Sequence, residues 1–247
     1  MVKKIEEIKQ AFSNRNKKQK IADMLTDNEF ISIYEKCKEC SMTSLERMYA
    51  LYKSVEYAVN SKISGDFVEC GVWRGGSAML VAHTLVNMNE TDKKIWLYDT
   101  FEGMSKPSTH DTDIFGRSSI TRWKRDKKED YCDWCFSPIS EVKKNMQSTG
   151  YPHDNLVFVK GKIEDTVPNS VPSQIALLRL DTDWYESTKH ELEYLYPLIA
   201  RNGVLIIDDY GHWTGCKKAV DEYISQHNLP IFLNRIDYTG RLAIKTS

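Results

Sequence analysis

A chain of 247 residues, 41% of them hydrophobic, has the apolar content to form one large domain with a sizeable buried core and no need of covalent staples. Its 34 Lys and Arg balance 35 Asp and Glu to a formal charge of -1, which argues against a general nucleic-acid binder. No apolar run approaches the roughly 20 residues that span a bilayer.

The N-terminus lacks the basic, apolar and small-residue succession of a signal peptide, so a cytoplasmic location is expected. Ile5, Ile8 and Phe12 fall at helical spacing over 3–12, which reads as a short docking helix. The basic cluster Lys17, Lys18 and Lys20 then reads as a solvated linker. Thr43 and Glu46 form a capping box, and the stripe Leu45, Met48, Tyr49, Tyr52, Val55 and Val59 carries a helix to about Asn60.

Strand and helix then alternate. Strands are expected at 66–70, 94–99, 156–159, 175–181 and 203–207. Helices are expected from Ala78, over 140–146 after Pro138, over 188–199 and over 217–226. Two closing strands, 230–235 and 240–245, flank a Tyr-Thr-Gly turn and would add antiparallel to an otherwise parallel sheet. The polar stretch 102–135 has no such rhythm and reads as a lid or binding loop. Its run Thr121-Arg122-Trp123-Lys124-Arg125 reads as solvated surface, or else as a part of the lid that touches substrate.

The six cysteines include two CxxC pairs, Cys37/Cys40 and Cys132/Cys135. The pairs lie 95 residues apart, without the Gly-rich knuckles of a compact zinc module, so they read as packing thiols, with zinc or redox chemistry as the alternative. Cys70 and Cys216 read as core.

In open parallel sheets, ligands bind beyond the carboxyl ends of the strands. Four of those ends carry acids. Glu69 precedes the turn Gly71–Ser77, which is neither GxGxxG nor a phosphate loop. A carboxylate there repels pyrophosphate and suits an ammonium, so it favours a cofactor that carries an amino acid. Ser77 could cap the following helix or touch that ligand. Asp99 ends the second strand, 30 residues on, where an acid commonly accepts hydrogen bonds from ribose hydroxyls. Asp181 and Asp183 end the fourth strand, and Asp208 and Asp209 end the fifth. If those strands are neighbours, the four carboxylates share one cleft. Such a cluster needs a cation or protonation, and its oxygens suit Mg2+ or Ca2+. Asp183 could be a base rather than a ligand. His212 is a candidate for the same cleft, and Trp184 could stack on a sugar or pack in the core. An ammonium site, a ribose site and a hard-metal site together point to S-adenosylmethionine, with a metal chelating two neighbouring hydroxyls of an acceptor.

At these residues the chain resembles the macrocin O-methyltransferase family, magnesium-dependent enzymes acting on sugar hydroxyls. The likeness runs from about Met42 to about Lys245. It is carried by Met42-Thr43-Ser44 with Glu46-Arg47, by Phe67 to Ser77, by Asp99 to Met104, and by Lys160-Gly161 with Asp165-Thr166. Leu178 to Asp183, Tyr185 to Thr188, Asp208 to Gly211 and Arg235 to Tyr238 complete the set. The resemblance implies a Rossmann-like class I methyltransferase fold of the α/β class, a mostly parallel seven-stranded sheet whose last strand is antiparallel. It implies an N-terminal helical segment and possible lid over 1–60, and a catalytic domain over 61–247 with 102–135 inserted. It implies Asp181, Asp208 and Asp209 as magnesium ligands, and Asp183 as base with His212 beside it. Glu69, Gly71, Ser77, Asp99 and Gly161 would lie around S-adenosylmethionine. The acceptor would be a small molecule or glycan, with no nucleic acid or membrane partner, and the assembly a homodimer. A catechol or phenol O-methyltransferase is the competing enzyme reading, since a catechol also chelates through two oxygens. A fold that binds without catalysis would be expected to lack one of these acids.

Overall fold

The computed structural model describes residues 22–246. The docking helix expected over 3–12 and the basic cluster Lys17, Lys18 and Lys20 lie outside them.

The helices are α1 (Ala22–Thr26), α2 (Asn28–Cys37), α3 (Leu45–Asn60), α4 (Gly76–Asn87), α5 (Ser119–Asp126), α6 (Ile139–Gln147), α7 (Ile163–Thr166), α8 (Tyr185–Tyr194) and α9 (Thr214–Gln226). The strands are β1 (Asp66–Cys70), β2 (Ile95–Asp99), β3 (Leu156–Lys160), β4 (Ile175–Leu180), β5 (Ile199–Ile207), β6 (Asn234–Arg235) and β7 (Arg241–Ile244). They form one seven-stranded sheet in the order β3-β2-β1-β4-β5-β7-β6. β1 to β5 run parallel, and β7 pairs antiparallel with β5 and β6. This is the Rossmann-like class I arrangement. Every residue of β4 is buried, as a central parallel strand covered on both faces requires. The strand order reverses between β1 and β4, which opens a crevice at their carboxyl ends.

α2 and α3 cover one face of the sheet together with α4. Asp27 caps α2 by accepting a hydrogen bond from the Phe30 amide at 3.1 Å, and α2 buries Phe30, Ile33 and Cys37. Phe30 meets Tyr49 edge-on at 4.9 Å. α3 turns Met48, Leu51, Tyr52, Val55 and Ala58 into the same core. α4 is buried on nearly all sides, because it is sandwiched between the sheet and these helices. Among the described residues no helix is long and apolar enough to cross a membrane.

Three local expectations change. The cap of α3 is Ser44, whose hydroxyl accepts from the Arg47 amide at 3.2 Å. The Thr43 hydroxyl instead accepts from the Arg179 guanidinium. α8 stops at Tyr194 rather than Ile199, because Pro197 cannot continue the amide ladder; a single 3-10 turn follows and β5 begins at Ile199. β6 has only two residues, since Pro230 starts the expected strand and interrupts pairing at the sheet edge.

The stretch 102–135 is ordered by long-range contacts. Asp111 is fully buried, and its carboxylate accepts from the Tyr185 amide at 2.8 Å and from Ser108 at 2.6 Å (amide) and 2.8 Å (hydroxyl). Asp113 pairs through its backbone with Trp213, and Lys127 with Cys132. α5 lies within this stretch.

Candidate active site

A cavity of about 420 Å³ opens at the carboxyl ends of the parallel strands. Of the ten residues expected at the site, nine line it: Gly71, Ser77, Asp99, Gly161, Asp181, Asp183, Asp208, Asp209 and His212. Glu69 is the exception. It is buried behind the wall, bound by Arg179.

The sheet order sets the layout. Asp99 and Gly161 follow β2 and β3 on one side. Asp208 and Asp209 follow β5 on the other, and Gly71 and Asp181 meet in the middle. Gly71 has φ +84°, and a Cβ there would lie 2.0 Å from the Asp181 carbonyl oxygen, so only glycine lets β1 and β4 approach this closely. The Asp181 amide donates to the Cys70 carbonyl at 2.8 Å and fixes that approach.

The Asp99 carboxylate accepts from the amides of Val72 (2.7 Å), Trp73 (3.1 Å) and Phe101 (2.7 Å). It clamps the turn after β1 to the turn after β2. Burial pushes its pKa up, against the pull of those amides.

Asp181, Asp208 and Asp209 each offer a carboxylate oxygen, and the three oxygens lie within 4.8 Å of one another. Among the described residues this is the group placed to hold a metal ion. One buried oxygen of Asp209, Oδ2, has no hydrogen-bond partner. An unpartnered buried carboxylate oxygen in an all-carboxylate set fits a hard divalent cation. Burial, then the charges of Asp183 and Asp181, push the Asp209 carboxyl well above the usual range. Asp183 adjoins this set, with backbone φ of +68°, a conformation seldom adopted by a residue with a side chain. Burial first, then the charge of Asp181, raise its pKa to about 7.

Two arginines manage the remaining charge. Arg179 is the single charged residue of β4. Its guanidinium pairs with Glu69, with Asp181 at 2.7 Å and with Asp208 at 2.7 Å, and it donates to the Thr43 hydroxyl oxygen at 3.0 Å. Arg47 of α3 also pairs with Asp208, and with Asp237 at 3.0 Å. Thus helix α3, strand β4 and the β6–β7 turn all converge on one metal-site carboxylate. The sequence holds a signal for Arg179, since a charge inside an apolar strand demands a buried partner.

The cavity wall also includes Met42, Tyr238, His212, Trp213, Trp134 and Arg122. Trp184 packs in the core instead. It meets Trp134 and Trp213 edge-on at 5.4 and 5.0 Å and donates to the Ser105 carbonyl at 3.0 Å. Trp134 and Trp213, which the sequence did not single out, reach the cavity together with Trp73. Burial lowers the His212 pKa. All six cysteines are free thiols, and none joins a metal-ligand group among the described residues. Cys37 faces the core, where burial pushes its pKa up to about 12. Cys135 lies on the cavity wall.

Comparison with known proteins agrees with this geometry. The profile of the family described as Macrocin-O-methyltransferase (TylF) matches residues 5–243. The chain is 32% identical, over 81% of its length and 73% of the relative's, to the 8-demethyl-8-(2,3-dimethoxy-alpha-L-rhamnosyl)-tetracenomycin-C 4'-O-methyltransferase of Streptomyces olivaceus. It is 30% identical to the mycinamicin III 3''-O-methyltransferase of Micromonospora griseorubida, over 81% and 76% of the two chains. The solved structure of the O-methyltransferase NovP superposes with a TM-score of 0.74 at 30% identity, covering 84% of this chain and 83% of that one. The calicheamicin methyltransferase CalS11, at 21% identity and TM-score 0.59 over 80% and 77%, shares the fold. The chain belongs to the macrocin O-methyltransferase family and is an S-adenosylmethionine-dependent O-methyltransferase.

Proposed function

We propose that this enzyme transfers the methyl group of S-adenosylmethionine to a sugar hydroxyl of a glycosylated natural product or glycan, with Mg2+ held by Asp181, Asp208 and Asp209. The observation that carries the reading is the convergence of those three carboxylates, with the orphaned Asp209 oxygen, beside Asp183 in the same cavity as Ser77 and Asp99. The names of the relatives, 4'-O- and 3''-O-methyltransferases of tetracenomycin and mycinamicin compounds, support a glycosylated acceptor.

When bound, the cation lowers the pKa of an acceptor hydroxyl and fixes a neighbouring oxygen. Asp183 takes the hydroxyl proton, for which a carboxyl with a pKa of about 7 is well matched. The oxygen then displaces the sulfonium, forming the O–C bond as the S–CH3 bond breaks and releasing neutral S-adenosylhomocysteine. Gly71, Ser77 and Gly161 hold the cofactor close to the backbone, and Asp99 receives the ribose. Glu69 serves as a positioning residue through Arg179. His212, against Trp213 and 3.5 Å from the Tyr238 hydroxyl, borders the acceptor. The N-terminal segment expected over 1–60, of which 22–60 are described, serves the catalytic domain 61–247, with 102–135 as the acceptor lid. The chain works as a cytoplasmic homodimer on a small-molecule or glycan acceptor, not on nucleic acid. Six unpaired thiols suit a reducing compartment, and light scattering on the purified enzyme tests the dimer.

The indoles of Trp134 and Trp213 on the wall would also accept a catechol ring. A panel of glycosides and catechols, read by S-adenosylhomocysteine release, separates the two. Turnover of glycosides supports the sugar reading, and turnover of catechols alone overturns it.

A further inference from the structure

Beside the active cavity lies a second, open cleft of about 870 Å³. The two share Arg122, Trp134, His212 and Trp213 in their linings, so they adjoin at these four side chains. The outer cleft is lined by three arginines, Arg117, Arg122 and Arg125, against one acid, Asp113. The segment 117–128 that builds it holds six basic residues and a single acid, Asp126.

The arginines are presented, not spent. Their side chains are 73%, 53% and 71% exposed. Asp113 engages Arg117 through Nε at 2.6 Å, leaving the two terminal nitrogens of that guanidinium toward solvent. Asp126 answers both Arg122, at 3.5 Å, and Arg125, at 2.6 Å, so one positive charge of that trio is uncompensated. The Arg122 guanidinium sits over the Trp134 ring, 4.1 Å from its centroid, and both side chains line the two cavities. The lid carrying these groups is pinned by the Asp113–Trp213 bridge and buried Asp111. The cluster therefore has a fixed position relative to Asp183. It also sits opposite in charge to the carboxylates at the strand ends, so a ligand with a hydroxylated end and an anionic end has one orientation.

We infer that the acceptor is a phosphate-bearing glycoside, its sugar hydroxyls at Asp183 and its phosphate or diphosphate in the arginine-lined cleft. This rests on the proposed sugar methylation and names the acceptor class. Guanidinium groups match phosphate oxygens in charge and fork geometry. A nucleotide-linked and a lipid-linked sugar present the same diphosphate.

The test is calorimetric titration of the full chain, without added divalent cation, with uridine diphosphate, geranyl diphosphate and uridine as probes. Each titration is run with and without S-adenosylhomocysteine. Both diphosphates should bind and uridine should not, and added salt should weaken binding. The triple variant Arg117→Gln/Arg122→Gln/Arg125→Gln should lose about tenfold in diphosphate affinity, and Arg125→Gln alone a smaller part. Affinity for S-adenosylhomocysteine should be unchanged in both, which reports an intact fold. Tighter binding of the uridine or of the geranyl compound supports the inference and assigns the carrier. Absence of diphosphate binding, or equal binding by the triple variant, overturns it. Failure of the unaltered protein to bind S-adenosylhomocysteine would defeat the methyltransferase reading separately.

Discussion

Arg179 of β4 and Asp208 at the end of β5 are joined at 2.7 Å, both almost wholly buried. The pair ties the central strand to a carboxylate of the candidate metal site, and the same guanidinium holds Glu69 and Asp181. Arg179→Met removes the one cation common to all three acids. We expect it to cost about 3–5 kcal/mol, as removal of one partner of a buried ion pair does. Urea unfolding should show the midpoint falling accordingly. A variant as stable as the parent would mean that the buried acids do not rely on Arg179.

Asp183→Asn keeps the size and removes the proton acceptor. Turnover should fall by about 10²–10⁴-fold, the usual contribution of a positioned general base. Cofactor affinity, measured by calorimetry, should be unchanged. Equal turnover would show that the proton leaves by another route.

Gly71→Ala probes the meeting of β1 and β4. The new Cβ would stand 2.0 Å from a backbone oxygen at a φ of +84°, so the strand ends must separate. The left-handed conformation alone costs about 1–3 kcal/mol, with the clash in addition. Thermal unfolding and loss of S-adenosylhomocysteine binding should both register it.

Much of this site could be read before the fold was known. Five strands are visible because parallel strands buried on both faces are short and apolar, and each of four ends in an acid that solvent alone would not select. The stretch 102–135 reads as a lid or loop from its composition, but its internal order is not legible. Residues 102–135 have no periodicity, and their order comes from partners far along the chain, as in Asp111 to Tyr185 and Asp113 to Trp213. The sequence does carry a signal for α2: Asp27 is a capping residue, and Phe30, Ile33 and Cys37 recur at helical spacing. Thr43 looked like the cap because its box with Glu46 is complete in sequence, yet Ser44 takes that place and Thr43 turns to Arg179. Local spacing cannot choose between adjacent hydroxyls when a tertiary partner decides.

Glu191 of α8 gives a pH signature. It is fully buried, its Oε1 accepts from the Thr182 hydroxyl at 2.9 Å, and its Oε2 has no partner. Burial raises its pKa well above the ordinary 4.5. The folded protein then keeps a proton that the unfolded chain releases above that value. The stability this group contributes is full below pH 4.5 and is lost as pH rises toward the folded pKa, by up to about 1.4 kcal/mol per pH unit. Glu191→Gln carries no titrating proton, so its advantage over the parent should grow from pH 5 to pH 8 in urea unfolding. A constant difference across that range would show that Glu191 does not titrate between the two states.

Titration of Mg2+ into the S-adenosylhomocysteine complex tests the proposed metal-assisted methyl transfer most directly, with Asp209→Asn as the paired variant. One Mg2+ should bind per chain, and the variant, which removes the charge from the orphaned carboxylate, should weaken that binding by at least about tenfold. Full methyl transfer by protein stripped of divalent cations, or identical Mg2+ binding by Asp209→Asn, would contradict it.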